Sequence, residues 1–231
     1  MKKIQFKISR YKPAVIDPPA FFTYTLKVSE HMTVLDCLEQ IRIHQEPGLM
    51  YRHSCHHASC GTCGCIINNV ERLACLTNVF GLDAAVIVIE PLKGFERVGD
   101  LVVDRTAFFR DIAEDWDCLR PSETAAAVSW PAADAGATPS RFENCIECGC
   151  CVSACPAAHG NTGFLGPAVL AAVNRERLNH PGSAKDLLDL AAGENGERRC
   201  ERALACSRVC PTGVYPARHI ADLRRAIKSR A

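Results

Sequence analysis

Hydrophobic and polar residues alternate along the first part of the chain. Ile4, Phe6 and Ile8 are separated by polar residues, which is the period-two pattern of a half-buried β-strand. Residues 17–19 (Asp-Pro-Pro) have the composition of a turn, and Phe22–Val28 has that of a returning strand. The beginning of the chain is therefore predicted to form a β-hairpin.

A helix is predicted after this hairpin. Thr33 can cap its N-terminus, with Asp36 three residues later as a short form of the capping box. Apolar residues then recur with helical spacing, and a Pro-Gly pair at residues 47–48 is predicted to end the helix. The predicted buried face consists of Val34, Leu38 and Ile41.

A second hairpin and a last strand complete this part of the chain. Residues 66–70 (Ile-Ile-Asn-Asn-Val) carry a hairpin signal, because asparagine tolerates positive φ. Ala85–Ile89 is a short apolar run typical of a buried strand. Two hairpins, a helix that crosses them and a final strand predict a small β-grasp domain over residues 1–98.

The pattern after Gly99 is helical. Apolar residues with a period of 3.6 occur in Leu101–Trp116, in Gly163–Leu178 and in Pro216–Lys228. Residues 120–140 are rich in Ala, Pro and Ser, which predicts a connection that runs over the surface. The expected fold class is therefore α+β, with the β-grasp domain followed by an all-α domain over residues 99–231.

Composition narrows the function classes. The chain has 231 residues, 27 basic and 26 acidic side chains, and this balance argues against nucleic acid as the main partner. It also has 15 cysteines, a count that indicates either a disulfide framework or metal sites. No secretory signal and no run long enough to span a bilayer are visible. Metal-binding thiolates in a reducing compartment are the expected interpretation.

The first group of cysteines has the spacing of a plant-type 2Fe–2S site. The sequence is C-x4-C-x2-C with a fourth cysteine further on, and Gly61 and Gly64 allow the loop to wrap closely around a cluster. Four thiolates could also hold zinc, although zinc usually takes two C-x2-C pairs. His53, His56 and His57 suggest a Rieske site as an alternative, in which two histidines replace two of the cysteine ligands. This alternative is rejected because no histidine accompanies the fourth cysteine. The predicted ligands are Cys55, Cys60, Cys63 and Cys75.

Two further groups follow the bacterial ferredoxin spacing C-x2-C-x2-C-x3-C-P. The run Cys145–Pro156 is complete, whereas the run Cys200–Pro211 has Ala203 where its second cysteine would stand. In two-cluster ferredoxins the fourth cysteine of each run binds the other cluster. The rule predicts a 4Fe–4S cluster on Cys145, Cys148, Cys151 and Cys210. It predicts a 3Fe–4S cluster on Cys155, Cys200 and Cys206, because no thiolate stands at the fourth position. The remaining thiols are interpreted as packed residues: Cys37, Cys65, Cys118 and Cys150.

This combination resembles the iron–sulfur subunit of succinate dehydrogenase and fumarate reductase. A plant-type 2Fe–2S domain precedes a bacterial-type domain with 4Fe–4S and 3Fe–4S clusters, and the resemblance covers nearly the whole chain. The matching segments are Thr33–Asp36, Cys55–Cys63, Leu73–Cys75, Cys145–Pro156, Phe164–Ala168 and Cys206–Pro211.

The resemblance implies an electron-transfer subunit. Electrons would pass between the FAD of a partner flavoprotein and a membrane quinone through the three clusters, in either direction. It also implies one or more membrane anchor subunits, such as one of cytochrome b type, and a peripheral position on the cytoplasmic or matrix face of an energy-conserving membrane. The chain itself would carry no catalytic residues for the dicarboxylate.

The sequence departs from the family after the crossing Cys-Pro. Many ubiquinone-using members have a tryptophan there, whereas this chain has Ala157-Ala158-His159. The departure favours a menaquinone-like quinone or another acceptor, with Pro156 and His159 as expected lining residues of its site. Two alternatives stay open: an iron–sulfur subunit of a related flavoenzyme reductase that uses no quinone, and a zinc-stabilised scaffold without a redox role.

Overall fold

The structure is a computed structural model that describes residues 1–106, 145–159 and 163–230. Its N-terminal part is a five-stranded mixed sheet in the order β2-β1-β5-β3-β4. β1 and β5 are parallel, and the other neighbouring pairs are antiparallel. The strands are β1 (Lys2–Lys12), β2 (Ile16–Val28), β3 (Gly64–Ile67), β4 (Val70–Leu73) and β5 (Val86–Glu90).

The predicted first hairpin is present, but its turn lies elsewhere. The chain reverses at residues 13–15, and residues 17–19, predicted as the turn, belong to β2. β2 is an edge strand, and proline is tolerated at a sheet edge because the amide hydrogen that it lacks would have faced solvent. The turn predicted from composition at residues 17–19 is therefore wrong, and the actual turn lies at residues 13–15.

The predicted helix and its cap are confirmed. Helix α1 (Val34–His44) is capped at its N-terminus by Thr33, whose backbone N–H donates to Asp36 Oδ2 at 2.8 Å. The Asp36 N–H donates in return to Thr33 Oγ1 at 3.2 Å, which completes a capping box. The helix ends before the Pro-Gly pair at 47–48, and the three predicted residues of its inner face are buried. This face packs on the sheet and forms the first core.

The second hairpin is also confirmed. Asn68 and Asn69 have φ values of +48° and +62°, and the Asn68 side-chain oxygen accepts a 2.8 Å bond from the backbone N–H of Val88. The turn is thereby joined to β5. That strand is half-buried rather than wholly buried, since Ile87 and Ile89 are inaccessible while Val86 is 42% exposed.

The helical prediction is wrong for residues 101–104. Strand β7 (Val102–Asp104) pairs with β6 (Glu96–Gly99) in a separate two-stranded sheet. Asp100, in the turn, accepts a 2.8 Å bond from the backbone N–H of Tyr11 and so attaches this hairpin to β1. The predicted domain division at 98/99 falls inside the hairpin. Residues 107–116 and the 120–140 connection lie outside the described part of the chain.

Helices make up the rest of the described chain. Within residues 145–159 and 163–230 the structure has helices and short 3₁₀ turns but no strand, which is consistent with the α+β class. These helices are α2 (Cys150–Ser153), α3 (Gly166–Asn179), α4 (Ala184–Ala192), α5 (Ala205–Arg208) and α6 (Pro216–Arg230). The second core is formed where α3 packs against α4 and α6.

The two parts of the molecule are packed against each other. Cys148 and Cys150 precede and begin α2, yet they are buried in the core of the β-sheet part. A side chain at Gly149 would lie 3.2 Å from Leu92 Cδ1 and from Phe95 Cζ. The second cysteine group is therefore built onto the domain that carries the first. None of the described helices is both long and apolar enough to span a bilayer.

Candidate metal centres

The first cysteine group lies in a loop between α1 and β3 and at the end of β4. The backbone N–H of Ala74 donates to Cys63 O at 3.1 Å, which holds the residue before Cys75 against the loop. Burial raises the pKa of the Cys63 thiol to about 12. The nearby thiols of Cys75 and Cys60 make smaller contributions to this rise, so both lie close to Cys63. The structure thus brings three of the four predicted ligands together.

The fourth member, Cys55, sits in a nest of hydrogen-bond donors. The backbone N–H groups of His57, Ser59 and Cys60 donate to its Sγ at 3.5, 3.3 and 3.4 Å. Hydrogen bonding from the Ser59 side chain, and next from the His57 backbone, lowers the pKa of the Cys55 thiol to about 5. A loop that stabilises a thiolate in this way is suited to a metal or cluster ligand.

The second set of predicted ligands lines one small cavity. It lies between the loop before α2 and the start of α6, and Pro211 and Val214 also face it. Burial, and after it the charges of Cys148, Cys145 and Cys210, raises the pKa of the Cys151 thiol. Four thiolates around one cavity form the donor set of a 4Fe–4S cluster. The thiols are those of Cys145, Cys148, Cys151 and Cys210.

The third set lines a larger cavity of about 310 Å³. Cys155, Cys200 and Cys206 all face it, and Ala203 faces it as well. Burial raises the pKa of the Cys206 thiol to about 11, with smaller contributions from the charges of Cys155 and Cys200. Three predicted ligands and Ala203 are therefore among the residues that line one cavity.

The two cysteine runs have the same backbone conformation. In the first, Glu147 and Gly149 have φ values of +53° and +80°, and a one-turn helix begins at Cys150. In the second, Arg202 and Leu204 have φ values of +60° and +58°, and a one-turn helix begins at the next residue. The register of these features matches Cys145 with Cys200, Cys148 with Ala203, Cys151 with Cys206, and Cys155 with Cys210.

Glycines bring the loop of the first group against that of the second. A side chain at Gly61, where φ is +66°, would lie 2.3 Å from the carbonyl oxygen of Ile146. At Gly64 it would lie 2.8 Å from the carbonyl oxygen of Cys148. Gly64 is thus needed for its close approach to the second loop, whereas Gly61 has a left-handed φ as well. The two candidate sites are in van der Waals contact through their loops.

Arginines that the sequence did not single out hold these loops. Arg105 Nη1 donates to Glu147 O at 2.9 Å and to Gly61 O at 3.4 Å, and so joins the first and second cysteine loops. In α6, Arg224 Nη2 donates to Cys200 O at 2.9 Å. These contacts join residues far apart in the chain, and no local sequence signal predicts them.

Two family models match this chain. One describes a 2Fe-2S iron-sulfur cluster binding domain and matches residues 5–110. The other describes a 4Fe-4S dicluster domain and matches residues 141–214. The first model covers the first cysteine group, and the second model covers the second and third groups.

Curated relatives extend the match to nearly the whole chain. The fumarate reductase iron-sulfur subunit of Haemophilus influenzae is 34% identical over 226 residues, which cover 91% of this chain and 88% of the relative. The mitochondrial succinate dehydrogenase [ubiquinone] iron-sulfur subunit 1 of Oryza sativa is 32% identical over 228 residues, 95% of this chain and 80% of the relative. This chain belongs to the family of fumarate reductase and succinate dehydrogenase iron–sulfur subunits.

A solved structure shows the same fold. A chain of the Mycobacterium smegmatis Sdh1 complex in the apo form superposes with a TM-score of 0.77 at 20% identity, covering 99% of this chain and 96% of that one. The resemblance noted in the sequence is thus confirmed. As a member of the family, the chain is the iron–sulfur, electron-transfer subunit of an oxidoreductase.

The donor chemistry fits the clusters of this family. All of the described cysteines are free thiols, so none of the predicted ligands is held in a disulfide. The spare thiols Cys37, Cys65 and Cys150 are 0%, 3% and 0% exposed, and burial raises the pKa of both Cys37 and Cys65. Such thiols behave as packed apolar residues. Cys118 lies outside the described residues.

The structure separates the two residues expected to line an acceptor site. Pro156 faces the 310 Å³ cavity beside Ala203. His159 is not among the residues that line this cavity, and its Nε2 instead contacts the carbonyl oxygen of Ser153 at 2.6 Å. A side chain at Gly94 would lie 3.3 Å from the His159 ring. The imidazole is therefore directed toward the loop after β5.

Proposed function

We propose that this family member holds three clusters in the arrangement that the cysteine runs predict. The 2Fe–2S ligands are Cys55, Cys60, Cys63 and Cys75. The 4Fe–4S ligands are Cys145, Cys148, Cys151 and Cys210. The 3Fe–4S ligands are Cys155, Cys200 and Cys206. When bound, these clusters supply one-electron carriers between the FAD of a partner flavoprotein and a quinone.

One observation carries the proposal for the third cluster. Ala203 lines the same cavity as three cysteines, and it stands in a loop whose backbone matches the loop that carries Cys148. A methyl group offers no electron pair to iron. The backbone is thus retained while the fourth ligand is absent, which fits a cluster with one iron fewer.

The order of the sites supports a relay. Gly61 and Gly64 bring the first loop against Ile146 and Cys148 of the second. The charge of Cys206, in the third set, adds to the rise in the pKa of Cys151, in the second. We therefore place the second site between the other two in a line, and the protein's own contribution is to hold these neighbouring sites in contact.

The flavoprotein and a membrane anchor are proposed as partners at opposite ends of this line. The end at Cys55 would face the flavoprotein, and the cavity beside Pro156 would face the quinone, which we expect to be menaquinone-like. In this arrangement the chain is peripheral, on the cytoplasmic or matrix face of the membrane. The division into a 2Fe–2S domain and a two-cluster domain, predicted at 98/99, is proposed together with it, with the boundary moved to the end of the β6–β7 hairpin.

Purification from native membranes tests the proposal. The chain should co-purify with an FAD-containing subunit and an anchor, and it should contain roughly nine irons if 2, 4 and 3 are summed. The oxidised sample should show the paramagnetic signal of a 3Fe–4S centre. A loaded sample without that signal would refute the three-iron assignment, and a fully loaded chain found without a flavoprotein would refute the partner assignment.

A further inference from the structure

Three side chains outside the cysteine sets come together beside the first loop. Glu39 lies on α1, and His53 and His56 lie in the loop that follows it. One potential ligand atom from each lies within 4.8 Å of the other two. The proposed electron-transfer function gives these residues no role.

The separations are close to those of a coordinated cation. His53 Nδ1 lies 3.0 Å from His56 Nε2 and 3.9 Å from Glu39 Oε1. Metal–ligand bonds of about 2.0–2.2 Å in tetrahedral geometry place neighbouring ligand atoms about 3.3–3.5 Å apart. Small rotations of the side chains would bring the observed separations to these values.

The surrounding contacts hold the ligands in place. Glu39 projects from a regular helix, and the His53 ring stacks on Tyr51 with 5.3 Å between centroids. The Arg42 guanidinium lies 5.6 Å from the centre of the Tyr51 ring, so that ring is in turn held by the helix. His56 has a φ of +60°, a left-handed conformation that is uncommon for a histidine. The loop thus adopts a strained backbone at the residue that completes the group.

The neighbouring histidine is engaged elsewhere. His57 Nδ1 contacts the carbonyl oxygen of Cys55, and its Nε2 lies 3.1 Å from Ser59 Oγ. Both of its ring nitrogens therefore have partners within the loop. This distinguishes His57 from His53 and His56, because a ring nitrogen of His53 lies near both His56 Nε2 and Glu39 Oε1.

We propose that Glu39, His53 and His56 form a binding site for a divalent first-row transition cation of the zinc type. Imidazole nitrogens with one carboxylate suit such a cation, whereas magnesium and calcium prefer oxygen ligands alone. The His53 and Glu39 side chains are 30% and 31% exposed, so a cation can enter and complete its coordination with water. Binding joins the loop of the first cluster to α1, next to Cys55.

Zinc binding to the full chain with its clusters provides the test. Equilibrium dialysis against ZnCl₂ should give one zinc per chain above the chelated baseline, with the iron content unchanged. The zinc-edge X-ray absorption spectrum should show nitrogen and oxygen ligands with imidazole scattering. The bound cation should also raise the temperature at which the visible cluster absorbance is lost.

Variants locate the site. His53→Gln, His56→Gln and Glu39→Gln should each weaken zinc binding tenfold or more, while the visible spectrum shows that the clusters and the fold are retained. His44→Gln is the matched control, because His44 ends the same helix and is not part of the group. It should bind zinc like the unmodified chain.

Other outcomes overturn the proposal. Sulfur ligands at about 2.3 Å in the absorption spectrum would show that zinc has entered a cysteine site. A variant that combines all three substitutions could bind zinc as tightly as the unmodified chain, or the unmodified chain could show no saturable zinc binding. Either result would exclude a site at these three residues. Because the readout is zinc binding and not electron transfer, these outcomes leave the proposed function unaffected.

Discussion

Ala203 stands in the second bacterial-type run at the point where Cys148 stands in the first. Cys148 lies between Glu147 and Gly149, which both have a left-handed backbone conformation. Ala203 lies in the same way between Arg202 and Leu204. The fold therefore presents the Ala203 methyl group as it presents a thiol in the other run. The position of the missing cysteine, inferred from the spacing of the run, is thus supported by the backbone conformation around Ala203.

Restoring the thiol should restore an iron. We expect Ala203→Cys to raise the iron content by about one per chain and to abolish the 3Fe–4S paramagnetic signal of the oxidised protein. Iron analysis and electron paramagnetic resonance measure both effects. Ala192→Cys is the control, since Ala192 ends α4 and is not among the residues that line the cavity beside Ala203, and it should keep the three-iron signal. An unchanged signal in Ala203→Cys would contradict the equivalence.

Gly64 tests the contact between the first and second loops. A methyl group added there would lie 2.8 Å from Cys148 O, so we expect Gly64→Ala to destabilise the protein by about 1–3 kcal/mol and to slow electron exchange between the two sites. Gly182→Ala is the control, because nothing lies within 4 Å of its added atom. Denaturant unfolding and single-turnover reduction measure the effects. Equal behaviour of the two variants would show that the loops are not in contact.

Arg105 makes the polar connection between the same loops. Arg105→Ala removes its bonds to Glu147 O and Gly61 O, and we expect a loss of about 2–3 kcal/mol in the free energy of unfolding. Faster release of iron from the first two sites should accompany this loss, and absorbance decay under a chelator measures it. Arg72→Ala, at an exposed position on β4, should have little effect. Similar decay rates for the two variants would argue against a connecting role.

Asp100 attaches the β6–β7 hairpin to the sheet. Its carboxylate is fully buried, lies 2.9 Å from Arg10 Nε, and accepts bonds from the backbone N–H groups of Tyr11 and Met50 at 2.8 and 2.7 Å. Asp100→Asn leaves the buried Arg10 charge less compensated, and we expect a cost of about 3 kcal/mol in denaturant unfolding. Asp83→Asn, at an exposed position, is the control and should unfold like the parent.

Local sequence features predicted the elements whose cause is local. The capping box at Thr33 and Asp36 and the paired asparagines at the second hairpin involve residues within three positions of each other. The secondary-structure prediction was wrong where contacts with residues distant in the sequence determine the structure. Residues 101–104 have a helical pattern but form a strand, because Asp100 and the pairing with Glu96–Gly99 hold them against β1.

The sequence by itself determined the family and the cysteine groups, because the thiols of each run lie a few residues apart and their spacing is a local property of the backbone. Tertiary structure alone decided the contacts that the spacing of the runs does not predict. It placed His159 away from the cavity that Pro156 and Ala203 line, and it joined the first two cysteine loops through Arg105. It also joined Glu39 of α1 to His53 and His56. Such contacts depend on how helices and loops pack across the whole chain, and no short stretch of sequence encodes that packing.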